Sequence, residues 1–200
     1  MSDARTLNYY NSNAAVFSEN TKNVDFSEVQ QIFTNQLSPD ASILDFGCGS
    51  GRDTRYFIDH GYHVTATDGS EMICKMATKY TGIQVKQMLF EELDDRNQYD
   101  GIWACASILH LSREELPDIF HKMHQALKKN GIIYTSFKYG TVEGERNGRY
   151  FTDFTEEMFE EFARQISGLQ IEKMWITGDV REGRGDERWL NILLRKKDIC

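Results

Sequence analysis

Asp45-Phe46-Gly47-Cys48-Gly49-Ser50-Gly51-Arg52-Asp53 is the stretch on which the fold turns. Residues 43–46 form a short apolar run that reads as a buried strand, and residues 52–60 carry a helical pattern that stops at Gly61. Between them, glycines at 47, 49 and 51 let the backbone turn sharply and approach a ligand closely. Strand, glycine-rich turn and helix in that order open a βα unit. Open α/β sheets bind ligands outside the carboxyl ends of such strands. A second acid, Asp68, ends the next apolar stretch, where a carboxylate accepts hydrogen bonds from a ribose diol.

Outward from this turn the chain alternates in type. Residues 62–67 read as a strand, 71–80 as a helix capped by Ser70, and 83–89 and 101–107 as two more strands. Residues 113–128 place Leu116, Ile119, Phe120, Met123 and Leu127 on one helical face, and residues 131–137 form a fifth strand. Upstream lie two weaker helical patterns. The clearer one aligns Phe26, Val29, Ile32, Phe33 and Leu37, and the segment at 38–42 ends it. Downstream, a loop at 138–150 rich in glycine and charge precedes a helix at 155–166. Strands at 169–177 and 189–195 follow with no helix between them, which makes them an antiparallel pair. The expectation is an α/β fold: a Rossmann-like, doubly wound sheet of about seven strands. It is mostly parallel with an antiparallel C-terminal hairpin strand, and helices cover both faces. One domain is expected over residues 1–200: a helical cap at 1–38, a cofactor-binding core at 39–137, and a substrate-side loop, helix and hairpin at 138–200.

Charge narrows the class of partner. With 23 basic and 31 acidic residues the 200-residue chain carries a net charge of −8, which opposes binding to polyphosphate and disfavours nucleic acid. No apolar run reaches the roughly 18 residues of a membrane span, and the first residues lack the apolar core of a secretory signal. Cys48, Cys74, Cys105 and Cys200 have no C-x-x-C spacing and read as free thiols. A cytoplasmic protein, monomer or homodimer, acting on a small molecule is the expectation.

The glycine turn also discriminates between cofactors. A dinucleotide site has G-x-G-x-x-G, yet Arg52 stands where the third glycine belongs. Pyrophosphate at a helix N-terminus is ill matched to an acid as close as Asp45. D-x-G-x-G-x-G with a distal acid suits S-adenosylmethionine, which brings an ammonium group and an adenosine but no phosphate. A nicotinamide oxidoreductase is therefore disfavoured.

Four segments now resemble motifs of the class I S-adenosylmethionine-dependent methyltransferases. ILDFGCGSGRD at 43–53 is similar to motif I, and GYHVTATDGSEMICKMA at 61–77 to the acidic region after it. YDGIWACASILHL at 99–111 and LKKNGIIYTSFKYG at 127–140 resemble the fourth- and fifth-strand motifs. The likeness is nearest to the bacterial tellurite-resistance-like, small-molecule subset. It implies that Asp45, Gly47 and Gly49 surround the methionine moiety, that Asp68 takes the ribose, and that Leu89 and Phe90 flank the adenine. It further implies that Cys105, Ala106 and His110 line the opening toward the substrate, and that Tyr9 and Tyr10 fold over the cofactor as a lid. Leu89 departs from the pattern, since many relatives carry an acid there; the adenine amine is then left to backbone or Glu91. Ala104-Cys105-Ala106-Ser107 also lacks the N/D-P-P-Y/F motif of the amide and adenine-amino methyltransferases.

His110 is the candidate base, because imidazole titrates near neutrality. His121 and His124 lie one helical turn apart without a third ligand, so no metal site is expected. Cys48 and Cys105 read as packing residues rather than nucleophiles. Lys138, Arg146 and Arg149 in the loop after the fifth strand are candidates for holding an anionic substrate. Arg181, Arg184 and Arg188, beside Glu182, Asp186 and Glu187, read as a solvated turn. Two other readings stay open: a methyltransferase acting on RNA or protein, and a non-catalytic S-adenosylmethionine-binding protein.

Overall fold

The computed structural model describes residues 4–181 and 183–197. Helices α1 (Ala4–Thr21) and α2 (Ser27–Thr34) precede β1 (Ser42–Phe46), α3 (Arg52–Asp59), β2 (His63–Asp68), α4 (Glu71–Thr81) and β3 (Lys86–Gln87). Then follow β4 (Tyr99–Ala104), α5 (Leu116–Ala126), β5 (Leu127–Lys138), β6 (Glu143–Arg146), β7 (Arg149–Thr152), α6 (Glu156–Ala163), β8 (Leu169–Gly178) and β9 (Arg188–Lys196). Seven strands form one sheet in the order β3-β2-β1-β4-β5-β9-β8. The first five are parallel, whereas β9 runs antiparallel to both β5 and β8. The terminal hairpin thus inserts its last strand between β5 and β8.

Alternation along the strands explains the double covering. Leu44 and Phe46 of β1, Ile102 and Ala104 of β4, and Ile133 and Phe137 of β5 face the core under α5 and α6. Ile43, Trp103, Ile132 and Tyr134, one residue out of phase, face α2 and α3 through Phe33 and Phe57. A two-residue side-chain period buried on both faces leaves no polar side, so these strands read as continuous apolar runs.

Several boundaries differ from expectation. The strand at 83–89 shrinks to Lys86–Gln87, because it is the sheet edge and pairs only with Thr67 and Asp68 of β2. The fourth strand starts and stops earlier, at Tyr99 and Ala104, and a 3-10 turn at Ile108–His110 follows it. The loop at 138–150 is largely a hairpin of its own: β6 and β7 pair antiparallel, with Asn147 (φ 52°) and Gly148 (φ 75°) at the tip. Its glycines and charges mask the strand pattern, and Asn and Gly are the residues that tolerate positive φ in such a turn. Cys48, Cys74 and Cys105 carry free thiols; Cys200 and Glu182 lie outside the described residues.

A polar and aromatic chain ties the helices to the sheet. The Asp53 carboxylate at the start of α3 accepts from the Arg52 Nε (2.8 Å), from the Gln30 amide on α2 (2.6 Å) and from the Trp103 indole on β4 (2.8 Å). Trp103 stacks on Tyr134 of β5 with ring centroids 4.0 Å apart, and the Tyr134 hydroxyl donates to Asn191 of β9 at 2.7 Å. Trp103→Ala should cost about 3–5 kcal/mol of stability, as large buried truncations do. Trp103→Phe should cost about 1–3 kcal/mol, since it leaves Asp53 one donor short. Urea unfolding midpoints check both, and an Ala variant within 1 kcal/mol of wild type (about a fivefold change in the folding equilibrium) would remove the chain from its structural role.

Candidate active site

The carboxyl ends of β1, β2, β4 and β5 open into a cavity of about 210 Å³ at the point where the strand order reverses between β1 and β4. Its floor is the first turn. Gly47 and Cys48 donate their N–H groups to the Thr67 carbonyl at 2.9 and 2.8 Å, which pins the turn to β2. Gly47 has φ +86°, and a Cβ there would meet the Ser107 Cβ at 2.5 Å. Gly49 has φ +56°, and a Cβ there would stand 3.2 Å from the Phe17 ring in the roof. Both positions thus need glycine, for backbone conformation and for space.

Asp68 ends β2 at this floor. Its Oδ2 accepts the Gly49 N–H at 3.1 Å and its Oδ1 the Ser70 N–H at 2.9 Å. The carboxylate lines the cavity, where burial raises its pKa to about 6 against the pull of those two hydrogen bonds. Asp45 sits elsewhere: it is buried beneath the turn, accepts from the Thr54 hydroxyl at 2.5 Å and does not face the cavity. Burial and the neighbouring Asp53 carboxylate push its pKa well above the usual carboxylate range. The expectation that it surrounds the ligand is therefore corrected to a position behind the turn.

Leu89 and Phe90 line the cavity beyond β3, and Phe90 packs edge-on against Phe46 at 4.9 Å. The Leu89 N–H is already taken by the Glu92 carboxylate at 2.7 Å, and Glu91 does not face the cavity. Cys105 and Ala106 line it after β4, with Ala106 at φ 48° and its N–H held by the Ser136 hydroxyl at 2.9 Å. Burial, then the charge of Asp53, raises the Cys105 thiol to about 12, so it stays protonated and is no nucleophile at neutral pH.

The roof comes from α1 and the β6–β7 hairpin. Thr6, Tyr10, Phe17 and Thr21 recur at helical spacing, so one face of α1 looks down on the cavity. Arg5 pairs with Glu145, the Thr6 hydroxyl accepts the Tyr150 N–H at 2.9 Å, and Asn11 accepts from Ser70 at 2.7 Å. Under this roof the Tyr10 hydroxyl lies 2.9 Å from the His110 Nε2, and the His110 Nδ1 lies 2.6 Å from the Tyr150 carbonyl. A carbonyl only accepts, so the Nδ1 carries the proton; in the neutral tautomer that leaves Nε2 to accept from the Tyr10 hydroxyl. Burial raises the Tyr10 pKa, and the nearby Arg149 opposes that rise.

The three cationic candidates part company. Arg146 grips Asp153 with both terminal nitrogens and does not face the cavity, which corrects its expected role. Lys138 lines the cavity but pairs with Glu187. Arg149 lines the cavity with its Nη1 3.4 Å from the Tyr10 hydroxyl and its guanidinium 4.5 Å over the Tyr9 ring. Arg181 and Arg184, read as a solvated turn, stand at the cavity wall instead. There Arg181 and the Trp189 indole bind Asp179, and hydrogen bonding overcomes burial to hold that acid at about 2. Period and spacing do not reveal this wall, because it forms only when the β8–β9 turn folds back over β5. The pair His121 and His124 gathers no third ligand: His121 contacts Gln125, and no group of three metal-binding side chains occurs among the described residues.

Comparison with known proteins agrees with this geometry. Residues 43–131 match a family model described as a methyltransferase domain. Over 129 residues the chain is 27% identical to the phosphoethanolamine N-methyltransferase of Plasmodium falciparum, covering 61% of this chain and 48% of that one. The chain spans about half the length of the first curated relatives it matches. Among solved structures, it is similar to the 1,6-didemethyltoxoflavin-N1-methyltransferase of Burkholderia thailandensis with bound 1,6-didemethyltoxoflavin and S-adenosylhomocysteine. The TM-score is 0.77 at 22% identity, over 98% of this chain and 88% of that one. A TehB-like S-adenosylmethionine-dependent methyltransferase of Corynebacterium glutamicum gives a TM-score of 0.67 at 19% identity, over 97% and 99%. The chain thus has the methyltransferase Rossmann-like fold, in which the Burkholderia thailandensis enzyme binds S-adenosylhomocysteine.

The site fits S-adenosylmethionine as cofactor. Its floor has no side chain where Gly47 and Gly49 lie, and a half-buried carboxylate stands at the end of β2. The expected role of Asp68, accepting ribose hydroxyls, requires it to be ionised; on that expectation affinity for S-adenosylhomocysteine should weaken about tenfold from pH 7 to pH 5, one unit below the Asp68 pKa. Stability of the ligand-free protein moves the other way. A carboxyl raised from 3.8 to about 6 contributes stability that is complete below 3.8 and is lost as pH rises through 6. Asp68→Asn should weaken binding at least tenfold at pH 7 and flatten the profile. Calorimetry at both pH values checks this, and an unchanged profile in the variant would take Asp68 out of the site.

Proposed function

We propose that this chain, a member of the class I S-adenosylmethionine-dependent methyltransferases, transfers a methyl group to a small-molecule acceptor. One observation carries the reading: one cavity is lined both by the Asp68 and glycine floor and by the Tyr10–His110 pair. The sulfonium of S-adenosylmethionine supplies an already activated methyl group. The chain's own task is to hold the acceptor, exclude water and take up a proton. Asp68, Gly47 and Gly49 form the cofactor end, with Leu89 and Phe90 beside them. Cys105 and Ala106 line the same cavity.

Under the roof of that cavity the Tyr10 hydroxyl is the group placed to meet an acceptor O–H or N–H. Tyr10 takes that proton while passing its own to the His110 Nε2, and the resulting imidazolium is held through Nδ1 by the Tyr150 carbonyl. The acidic net charge, with the cavity's volume of about 210 Å³, favours a small molecule over RNA or a protein chain.

Tyr10→Phe and His110→Asn should each lower kcat by about 10²–10⁴ with a proton-bearing acceptor. The double variant should be little worse than either, because the two act as one relay. The assay is release of S-adenosylhomocysteine across a panel of phenols, amines and thiols. Tight S-adenosylhomocysteine binding with no turnover on any acceptor would make the chain a cofactor-binding protein without catalysis.

A further inference from the structure

The cavity holds more positive charge than the acidic chain suggests. Arg52, Lys138, Arg149, Arg181 and Arg184 all line it. Four of them have a carboxylate partner: Arg52 has Asp53, Arg181 has Asp179, and Lys138 and Arg184 share Glu187. Among the described residues, Arg149 is the cavity cation with no carboxylate partner. Its neighbours are aromatic faces, with its guanidinium 4.5 Å over Tyr9 and 5.0 Å over Phe151, and its Nε is buried without a hydrogen-bond partner. Aromatic faces hold a guanidinium in place without using its in-plane N–H donors; here Nη1 donates to the Tyr10 hydroxyl at 3.4 Å and Nε is left over. A partly desolvated cation with free planar donors is matched by an oxyanion, which takes two parallel hydrogen bonds.

We propose that Arg149 is the specificity residue of the acceptor site and that the acceptor is a flat molecule bearing a carboxylate or phosphate group, seated on Arg149 beside the Tyr10 hydroxyl. This rests on the methyl-transfer reading above and adds the acceptor's chemical class. Because the Arg149 Nη1 lies 3.4 Å from the Tyr10 hydroxyl, an anion held there places the rest of the acceptor against the proton relay. The ring faces of Tyr10, Phe151 and Trp189 in the same cavity suit a planar body. Arg146, one turn of the hairpin away, contributes nothing to this site because Asp153 occupies its fork.

The test uses the full chain loaded with S-adenosylhomocysteine, with benzoate, phenyl phosphate and neutral benzamide as probes in titrations followed by NMR. At least one anion should bind ten times or more tighter than benzamide, and the tighter of the two names the group. Arg149→Gln should abolish that preference while leaving S-adenosylhomocysteine affinity within twofold. Arg149→Lys should recover part of it, and Arg184→Gln should leave it intact. Equal binding of all three probes to the wild-type protein overturns the proposal, and this arm stands even where the Gln variant fails to fold. Loss of S-adenosylhomocysteine affinity in Arg149→Gln, with anion preference retained, also overturns it and moves Arg149 to the cofactor end. Failure of the wild-type chain to bind S-adenosylhomocysteine at all would count against the methyl-transfer reading instead.

Discussion

The Asp53 carboxylate is held out of water where α2, α3 and the sheet meet, and four N–H donors from Arg52, Gln30 and Trp103 surround it. A buried charge is tolerable only when paired and hydrogen-bonded, so each of these partners is bound to its place. Through Trp103 the constraint passes to Tyr134 and on to Asn191, crossing three adjacent strands, β4, β5 and β9. Asn191 in turn donates to the Trp175 and Trp189 carbonyls and to the Thr177 hydroxyl, fixing the end of the terminal hairpin. Arg52, Asp53 and Asn191 also line the cavity, so the same network that joins the layers sets one wall of the site.

The opposite wall obeys a different logic. Helix α1 buries only Thr6, Ala14 and Ser18, too little apolar surface to hold a helix by packing alone. It is held by specific polar contacts instead: to the hairpin through Arg5 and Thr6, to α4 through Asn11, and to the fourth-strand turn through Tyr10. Such contacts are weak singly when exposed but precise in geometry, which suits a roof whose main task is to place one hydroxyl. The acids below it, buried Asp45 and half-buried Asp68, bind protons more tightly than free carboxyls because loss of water penalises their charged forms. Burial raises the Tyr10 hydroxyl in the same way.

Net charge is a poor guide to a site of this kind. The chain is acidic by eight charges, yet five cations face one cavity. Most are tied to acids that also count in the total, so the sum over the sequence says little about the local field. What matters is which cation finds no acid within reach, and that depends on contacts between residues far apart in the chain.

Period and punctuation in the sequence were enough for the βα order, the parallel core and the terminal antiparallel pair, since both-face burial and glycine turns leave local signatures. Ser70 as the cap of α4 was legible for the same reason, and its hydroxyl accepts the Ile73 N–H at 3.2 Å. So was the family likeness at 43–53, because the turn's chemistry is written in nine consecutive residues. The hairpin at β6–β7 was hidden, as its pairing rests on a turn among charged residues rather than on alternation. Which of Arg146 and Arg149 faces the cavity was equally hidden: the two pair directly across that hairpin, and only Asp153, brought in from beyond β7, captures one and leaves the other. Tyr10 meeting His110 across 100 residues has no trace in spacing. Local order is settled by neighbours along the chain, whereas the choice of partner for each buried or charged side chain is settled by what the closed fold brings within hydrogen-bonding reach.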